Sequence, residues 1–273
     1  MDGWTLVAEG RQAEVYLRPD GAVVKLMRDP AHGLWIEREA IALGAVAADG
    51  LAVPEVVEVL DADGRPGLAM NRVEGADLMT VMGAKPWLVP SLASTMGTLH
   101  AAMHRTRGPH QLPALPEVLA GHIADATELS EHQRAAATYA LARLPDGDRL
   151  CHGDMHLGNL IGDPADPVVI DWGGATRGDP TADVALTVLM HRMAKPGPGA
   201  SALVRTFAPV AARYIARRYL AAYGRARTVD GDLLERWVAV HAAARLAHGI
   251  DDDGNGDIDC EDAACLGHFE CPS

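Results

Sequence analysis

Two short stretches of the chain carry residue types whose spacing suits phosphoryl transfer. The first reads His152-Gly153-Asp154-Met155-His156-Leu157-Gly158-Asn159, and the second is Ile170-Asp171-Trp172-Gly173, closing the apolar run that begins at Val168. An Asp followed five residues later by Asn, then an Asp at the end of an apolar strand, supplies a carboxylate for a substrate hydroxyl. The amide and the second carboxylate hold Mg²⁺ on nucleotide phosphates. The two functions must be separate because base and cation approach the transferred group from different sides. A metal centre built from His152, Asp154 and His156 is the competing reading, since imidazole and carboxylate alternate there. Against it, no second His-rich cluster follows, and Asp171 sits where a nucleotide-bound cation needs it. His100 and His104, four apart on a helix, could also ligate a metal, although helix packing or capping is the commoner role of such a pair.

Phosphate chemistry also calls for a cation on a strand and an acid on the next helix to orient it. Lys25 fits, in the strand Ala22-Val23-Val24-Lys25-Leu26-Met27; the other two lysines, Lys85 and Lys195, precede prolines. Glu37 and Glu39 are two residues apart and face differently. Glu39 shares its side with Trp35 and Ile36 and is the preferred partner. The turn Glu9-Gly10-Arg11-Gln12-Ala13-Glu14 has one glycine where a Gly-rich loop has three, and no Walker A loop exists. Backbone amides from Gly10 to Ala13 are expected to meet phosphate.

The elements that must carry these residues follow from periodicity. Residues 5–27 read as short strands divided at Glu9-Gly10 and Pro19-Asp20-Gly21. A helical stripe from His32 ends near Asp49-Gly50. Two further strands, Val56 to Leu60 and Gly67 to Val73, flank a turn-rich segment. Beyond Gly75 the chain is mostly helical, with helices over 88–106, 131–143, 180–194, 201–223 and 230–248. These are interrupted at 149–173 by a loop and two short strands.

Composition narrows the class. The 273 residues allow one large domain or two lobes. At 48% hydrophobic and 22% charged the chain can bury a core, while 4% aromatic content argues against a stacking surface for single-stranded nucleic acid. A net charge of −13 argues against nucleic acid and anionic membranes as partners. No apolar run reaches membrane-spanning length and the start does not read as a secretory signal, so the expected location is cytoplasmic.

These residues resemble the aminoglycoside phosphotransferase and choline kinase group over about residues 5–249. The two motifs carry the likeness, with weaker support from Lys25, Arg38-Glu39-Ala40, Val73-Glu74-Gly75, Leu99-His100 and the segment Ala175 to Ala185. The resemblance implies an α+β, bilobal protein-kinase-like fold: a small, mainly antiparallel β N-lobe with one helix (1–74) and a larger helical C-lobe (75–249). It implies ATP between them, with adenine on the backbone near Asn71 to Val73 and phosphates near Gly10. Asp154 becomes the catalytic base and His156 orients its loop. Asn159 and Asp171 ligate Mg²⁺, Lys25 pairs with Glu39, and Asp183 braces the catalytic loop. The activity implied is a small-molecule kinase acting on a hydroxyl acceptor. An inactive nucleotide-binding protein on the same scaffold is the alternative.

The tail, 250–273, is different. Residues 251–273 hold eight acids and no Lys or Arg, together with Cys260, Cys265 and Cys271. Asp251, Asp253, Asn255, Asp257, Asp259 and Asp262 fit a twelve-residue Ca²⁺ loop with Gly256 at its sharp turn. No helical pattern follows, so a paired EF-hand is not expected. The tail resembles the Asp-rich, Cys-containing calcium repeats of secreted proteins. That would suit a secreted calcium-binding interaction protein and conflicts with the ATP chemistry of the body.

Overall fold

The structure, a computed structural model, describes residues 1–10, 12–194 and 201–246. The calcium loop expected in the tail, Asp251 to Asp262, lies outside the described residues.

Five strands come first: β1 (Thr5–Glu9), β2 (Ala13–Leu17), β3 (Val23–Met27) and, after helix α1 (Gly33–Ala48), β4 (Val56–Ala62) and β5 (Arg65–Met70). They form one antiparallel sheet in the order β1-β2-β3-β5-β4. The order of strands and helix is the one expected from the sequence. The β4–β5 turn shows the local cause: Ala62 pairs with Arg65, so Asp63 and Gly64 alone make the turn, both with positive φ (55° and 78°). That geometry matches the strand twist and selects Asp-Gly. The last strand is shorter than expected. It stops at Met70: the Asn71 N–H still meets the Glu55 carbonyl at 2.9 Å, but the Glu55 N–H turns to the Asn71 side-chain oxygen at 2.6 Å.

The remainder is mainly helical: α2 (Leu78–Ala84), α3 (Val89–Met103), α4 (Leu115–Asp125), α5 (Glu131–Leu141), then α6 (Pro180–Met193), α7 (Ala202–Tyr223) and α8 (Gly231–Arg245). Between α5 and α6 lie the short strands β6 (Arg149–Cys151), β7 (Leu160–Ile161), β8 (Val168–Val169) and β9 (Thr176–Gly178). β6 pairs with β9 and β7 with β8. These two ribbons hold the loops that carry both motifs. Asp179 caps α6 by accepting the Thr181 N–H, with Pro180 in the first turn, so the helix starts immediately beyond β9.

Alternation sorts the sheet's two faces. Met27, Ala13 and Leu68 join the main core together with Ile36, Leu43 and Val46 of α1, and that core continues through α3, α6 and α8. Val24, Leu26 and Ala69 make a small second cluster on the other face with Trp4 and Tyr16. Lys25 therefore shares its face with Met27 and points toward α1. The fold is α+β as expected, an antiparallel sheet with one helix followed by a mainly helical part. No helix among the described residues is long and apolar enough to cross a membrane.

Two buried imidazoles make the stability of this fold pH-dependent. Burial lowers the pKa of His104 to about 4, and that of His241 on α8 likewise to about 4. An unfolded chain protonates both near the ordinary value of about 6.5, whereas the folded chain refuses the proton until about pH 4. Stability should fall as pH drops through that window, by at most about 1.4 kcal/mol per pH unit for each imidazole. Urea midpoints measured between pH 7 and pH 4.5 check this. A flat profile would contradict it.

Candidate active site

Lys25 joins three elements. Its ammonium donates to Glu39 Oε2 on α1 at 2.8 Å and to Asp171 Oδ1 beyond β8 at 2.6 Å. Glu39 is 2% exposed and Glu37 is exposed, which settles the choice between them in favour of Glu39. The second Glu39 oxygen accepts the Trp172 N–H at 3.3 Å. Burial acts against the charge on Lys25, but the Glu39 and Asp171 carboxylates outweigh it and raise the lysine pKa. Burial also holds the Glu39 carboxyl above its usual range against the pull of Lys25. At Asp171 burial is outweighed by Lys25, and the carboxyl is held low.

Asp171 has φ +62°, a left-handed conformation uncommon for a residue with a side chain. Its neighbours impose it. The fully buried Trp172 indole donates to the Val169 carbonyl at 3.1 Å, and His152 Nε2 donates to the Ile170 carbonyl at 3.0 Å. Strain maintained by surrounding structure is common at functional sites.

His152 ties the two motif loops together. Its Nδ1 accepts the Asp154 N–H at 3.2 Å, so with Nε2 donating to Ile170 both ring nitrogens are engaged by main chain. Burial lowers its pKa and favours the neutral ring. It has no nitrogen left for the metal centre considered from the sequence. The loops also touch at glycines: Gly153 has φ +79°, and a Cβ there would lie 2.5 Å from the Gly174 carbonyl oxygen. Gly153→Ala should therefore cost about 1–3 kcal/mol through strain alone. It should also displace Asp154, read as a lower melting temperature with a fall in specific activity. Native values for both would contradict the loop contact.

Asp154 and Asn159 meet within one loop. The Asn159 amide donates to the Asp154 carbonyl at 2.8 Å and to its Oδ2 at 3.2 Å. That leaves the amide oxygen of Asn159 as an acceptor, with the N/O assignment taken from these bonds. His156 Nδ1 accepts the Gly158 N–H at 3.0 Å while its Nε2 stands 3.5 Å from Asp154 Oδ2. Burial opposes a charge on His156, but Asp154 prevails and raises its pKa. Burial is likewise outweighed at Asp154, where His156 leads in holding the carboxyl low. Asp154 is thus an ionised acceptor at neutral pH, 44% exposed in its side chain. The oxygen donors of Asn159 and Asp171 are hard ligands that suit Mg²⁺.

Lys25, Glu39, Asp154 and Asp171 line one cavity of about 380 Å³, together with Gly10 and Trp35. Asn71 and Val73, expected beneath the nucleotide base, lie outside its lining. The Asn71 N–H is bonded to the Glu55 carbonyl at 2.9 Å. The turn expected to meet phosphate is closed internally: the Gly10 N–H reaches the Ala13 carbonyl at 2.8 Å. Arg28 Nε donates to the Gly10 carbonyl at 3.2 Å, and the Arg28 N–H to that of Gln12 at 2.8 Å. Arg28 and Trp35 were not anticipated. The place of Arg28, just after the strand that pairs with the turn, was the available signal.

Asp183 of α6 is bonded to the loop that carries Asp154. Its carboxylate accepts the His152 N–H at 2.5 Å and the Gly153 N–H at 2.9 Å.

A family model described as the phosphotransferase enzyme family matches residues 3–229. The chain belongs to this family. Among curated proteins no sequence matches it. Solved structures of similar shape include an aminoglycoside-3'-phosphotransferase of type VIII (TM-score 0.63, 20% identity, covering 90% of this chain and 94% of that one). Another is a thermostable mutant of aminoglycoside phosphotransferase APH(4)-Ia with AMP-PNP and hygromycin B (0.62, 20%, 97% and 91%). A third is an amicoumacin kinase with AMP-PNP, Ca²⁺ and Ami (0.63, 14%, 98% and 86%). At these identities the likeness is one of fold. The enzyme class expected from the motifs, a small-molecule kinase, agrees with membership of the phosphotransferase family.

Proposed function

We propose that this phosphotransferase moves the γ-phosphoryl group of ATP to a hydroxyl of a small molecule, with an aminoglycoside-like compound or related metabolite as acceptor. The observation that carries the proposal is one cavity onto which the Lys25–Glu39–Asp171 ion pairs and the ionised Asp154 all open. Residues 1–74 act as the nucleotide-holding lobe and 75–249 as the catalytic lobe, with the acceptor entering among the helices of 180–248. Lys25, aimed by Glu39, neutralises nucleotide phosphates, and the turn from Gly10 to Ala13 covers them. Mg²⁺ held by Asn159 and Asp171 supplies further neutralisation of phosphate charge when bound. Asp154, kept in place by Asn159 and His156, orients the acceptor hydroxyl and takes its proton as oxygen attacks phosphorus and ADP leaves. The work of the protein is mainly positioning and electrostatics.

Complexes of fold neighbours support both substrates: AMP-PNP with hygromycin B in one, GDP with kanamycin in another (TM-score 0.60, 18% identity, covering 91% of this chain and 86% of that one). The test is ADP or GDP release from Mg-ATP and Mg-GTP across aminoglycosides, macrolides, choline, homoserine and sugars, with Asp154→Asn as the blank. A signal lost in the variant establishes the kinase, its nucleotide and its acceptor class. Failure of both nucleotides to bind would overturn the reading. A higher melting temperature with Mg-ATP and no turnover on any acceptor would favour the inactive scaffold. For the tail we propose Ca²⁺ as ligand, tested by calorimetry on the 249–273 peptide with thiols reduced and oxidised. Absence of heat in both states would end that proposal.

A further inference from the structure

Asp183 is 2% exposed on α6, and its carboxylate has more partners than the two loop amides. Oδ2 also faces Nε2 of His100 on α3 at 3.0 Å and Nε2 of His104, the residue just after α3, at 3.2 Å, both fully buried. Four donors thus converge on one carboxylate, three on Oδ2 and one on Oδ1. Since it donates nothing, the imidazoles present Nε2–H to it. In the neutral His104 ring Nδ1 is then an acceptor, and the Tyr223 hydroxyl fills it at 2.8 Å. The pattern recurs one turn earlier, where the Tyr219 hydroxyl stands 2.6 Å from His100 Nδ1.

Both His–Tyr pairs span 119 residues, so successive turns of α3 meet successive turns of α7 in register. Gly97 permits the approach. It lies three residues before His100, and a side chain there would collide with the main chain of Tyr219 and Tyr223. The ligand atoms of His100, His104 and Asp183 are close enough for a metal ion, yet every ring nitrogen already has a protein partner. Hydrogen bonding accounts for the cluster, and its polarity is directed at one carboxylate.

We propose that Tyr219 and Tyr223 are positioning residues for the catalytic loop. Acting through His100 and His104, they fix the Asp183 carboxylate and, through it, the two amides that immediately precede Asp154. The position of α7 is thereby transmitted to the base, across a helix pair that does not line the catalytic cavity. The inference rests on the reading of Asp154 as that base.

The test uses the full chain with Tyr219→Phe, Tyr223→Phe and the double variant. Amide hydrogen exchange is followed over residues 150–156 and, as reference, over β3 to β5. Loss of both hydroxyls is expected to speed exchange at His152 and Gly153 by about tenfold, with the sheet unchanged. Turnover should fall about fivefold per lost hydroxyl while KM for ATP holds. His104→Gln, which keeps an N–H toward Asp183, should retain more turnover than His104→Leu. Native exchange at 152–153 in the double variant would overturn the inference, as would equal acceleration over the sheet, which marks general loosening. Asp154→Asn separates the two readings. If it stays active the base assignment fails; if it is inactive while exchange in the tyrosine variants is native, only the positioning role fails.

Discussion

Replacing Asp154 by Asn lowers turnover by about 10²–10⁴-fold while Mg-ATP affinity stays close to native. The substitution keeps size and one oxygen but removes the basic site. Lys25, the group proposed to meet phosphate, is bonded to Glu39 and to Asp171, with no bond to Asp154. Asn159 retains the carbonyl of residue 154 as partner, so the loop keeps its main hydrogen bond. Steady-state ADP release and nucleotide titration by calorimetry read the two quantities separately. Loss of nucleotide binding in parallel with turnover would show that Asp154 shapes the phosphate site. Native turnover would remove it from catalysis.

Asp183→Ala should destabilise the fold by about 3–5 kcal/mol, the cost of deleting one partner of a buried, hydrogen-bonded charge network. Two loop amides and two imidazoles lose their acceptor together. Although burial opposes the charge, the imidazoles outweigh it and hold the Asp183 carboxyl well below its usual range. Its contribution is therefore present above the unfolded carboxylate pKa and is lost only as pH falls through the lower folded value. The destabilisation should be fully expressed at pH 7 and persist through the imidazole window down to about pH 4. Urea denaturation of native, Asp183→Ala and Asp183→Asn chains checks it, the Asn variant providing a folded comparison. A loss below about 1 kcal/mol would mean that water replaces the carboxylate, contrary to the burial seen.

The candidate site residues could be grouped from the sequence because phosphoryl transfer fixes residue type and spacing over short distances. Asp154 and Asn159 lie in one loop, and Asp171 ends one apolar strand, so no tertiary knowledge was needed to group them. Lys25 and Glu39 came next, through strand alternation and helix facing, each a local regularity. The turns were legible for the same reason: Asp63-Gly64 is nearly its own instruction.

What the sequence concealed depends on contacts between distant segments. β6 and β9 have three residues each, too few to carry a period, and form by pairing with one another and with the segment from Thr106 to Ala114. Helix α4 did carry one, in Leu115, Leu119 and Ile123, all buried. His100 and His104 were visible as an i, i+4 pair, but their meaning lay 83 and 79 residues away in Asp183. A matching i, i+4 pair existed in Tyr219 and Tyr223, and only parallel packing at Gly97 puts the two in register. Arg28 escaped notice because its role is to close a turn whose single glycine had looked deficient.

The central claim is that a phosphoryl group moves from ATP to an alcohol. Phosphorus NMR of the products, with the purified chain, Mg-ATP and each acceptor in turn, tests it most directly. A new phosphomonoester resonance forming in step with ADP, and missing with Asp154→Asn, is the predicted result. ADP accompanied only by inorganic phosphate for every acceptor, or an ester that forms equally in the variant, would contradict it.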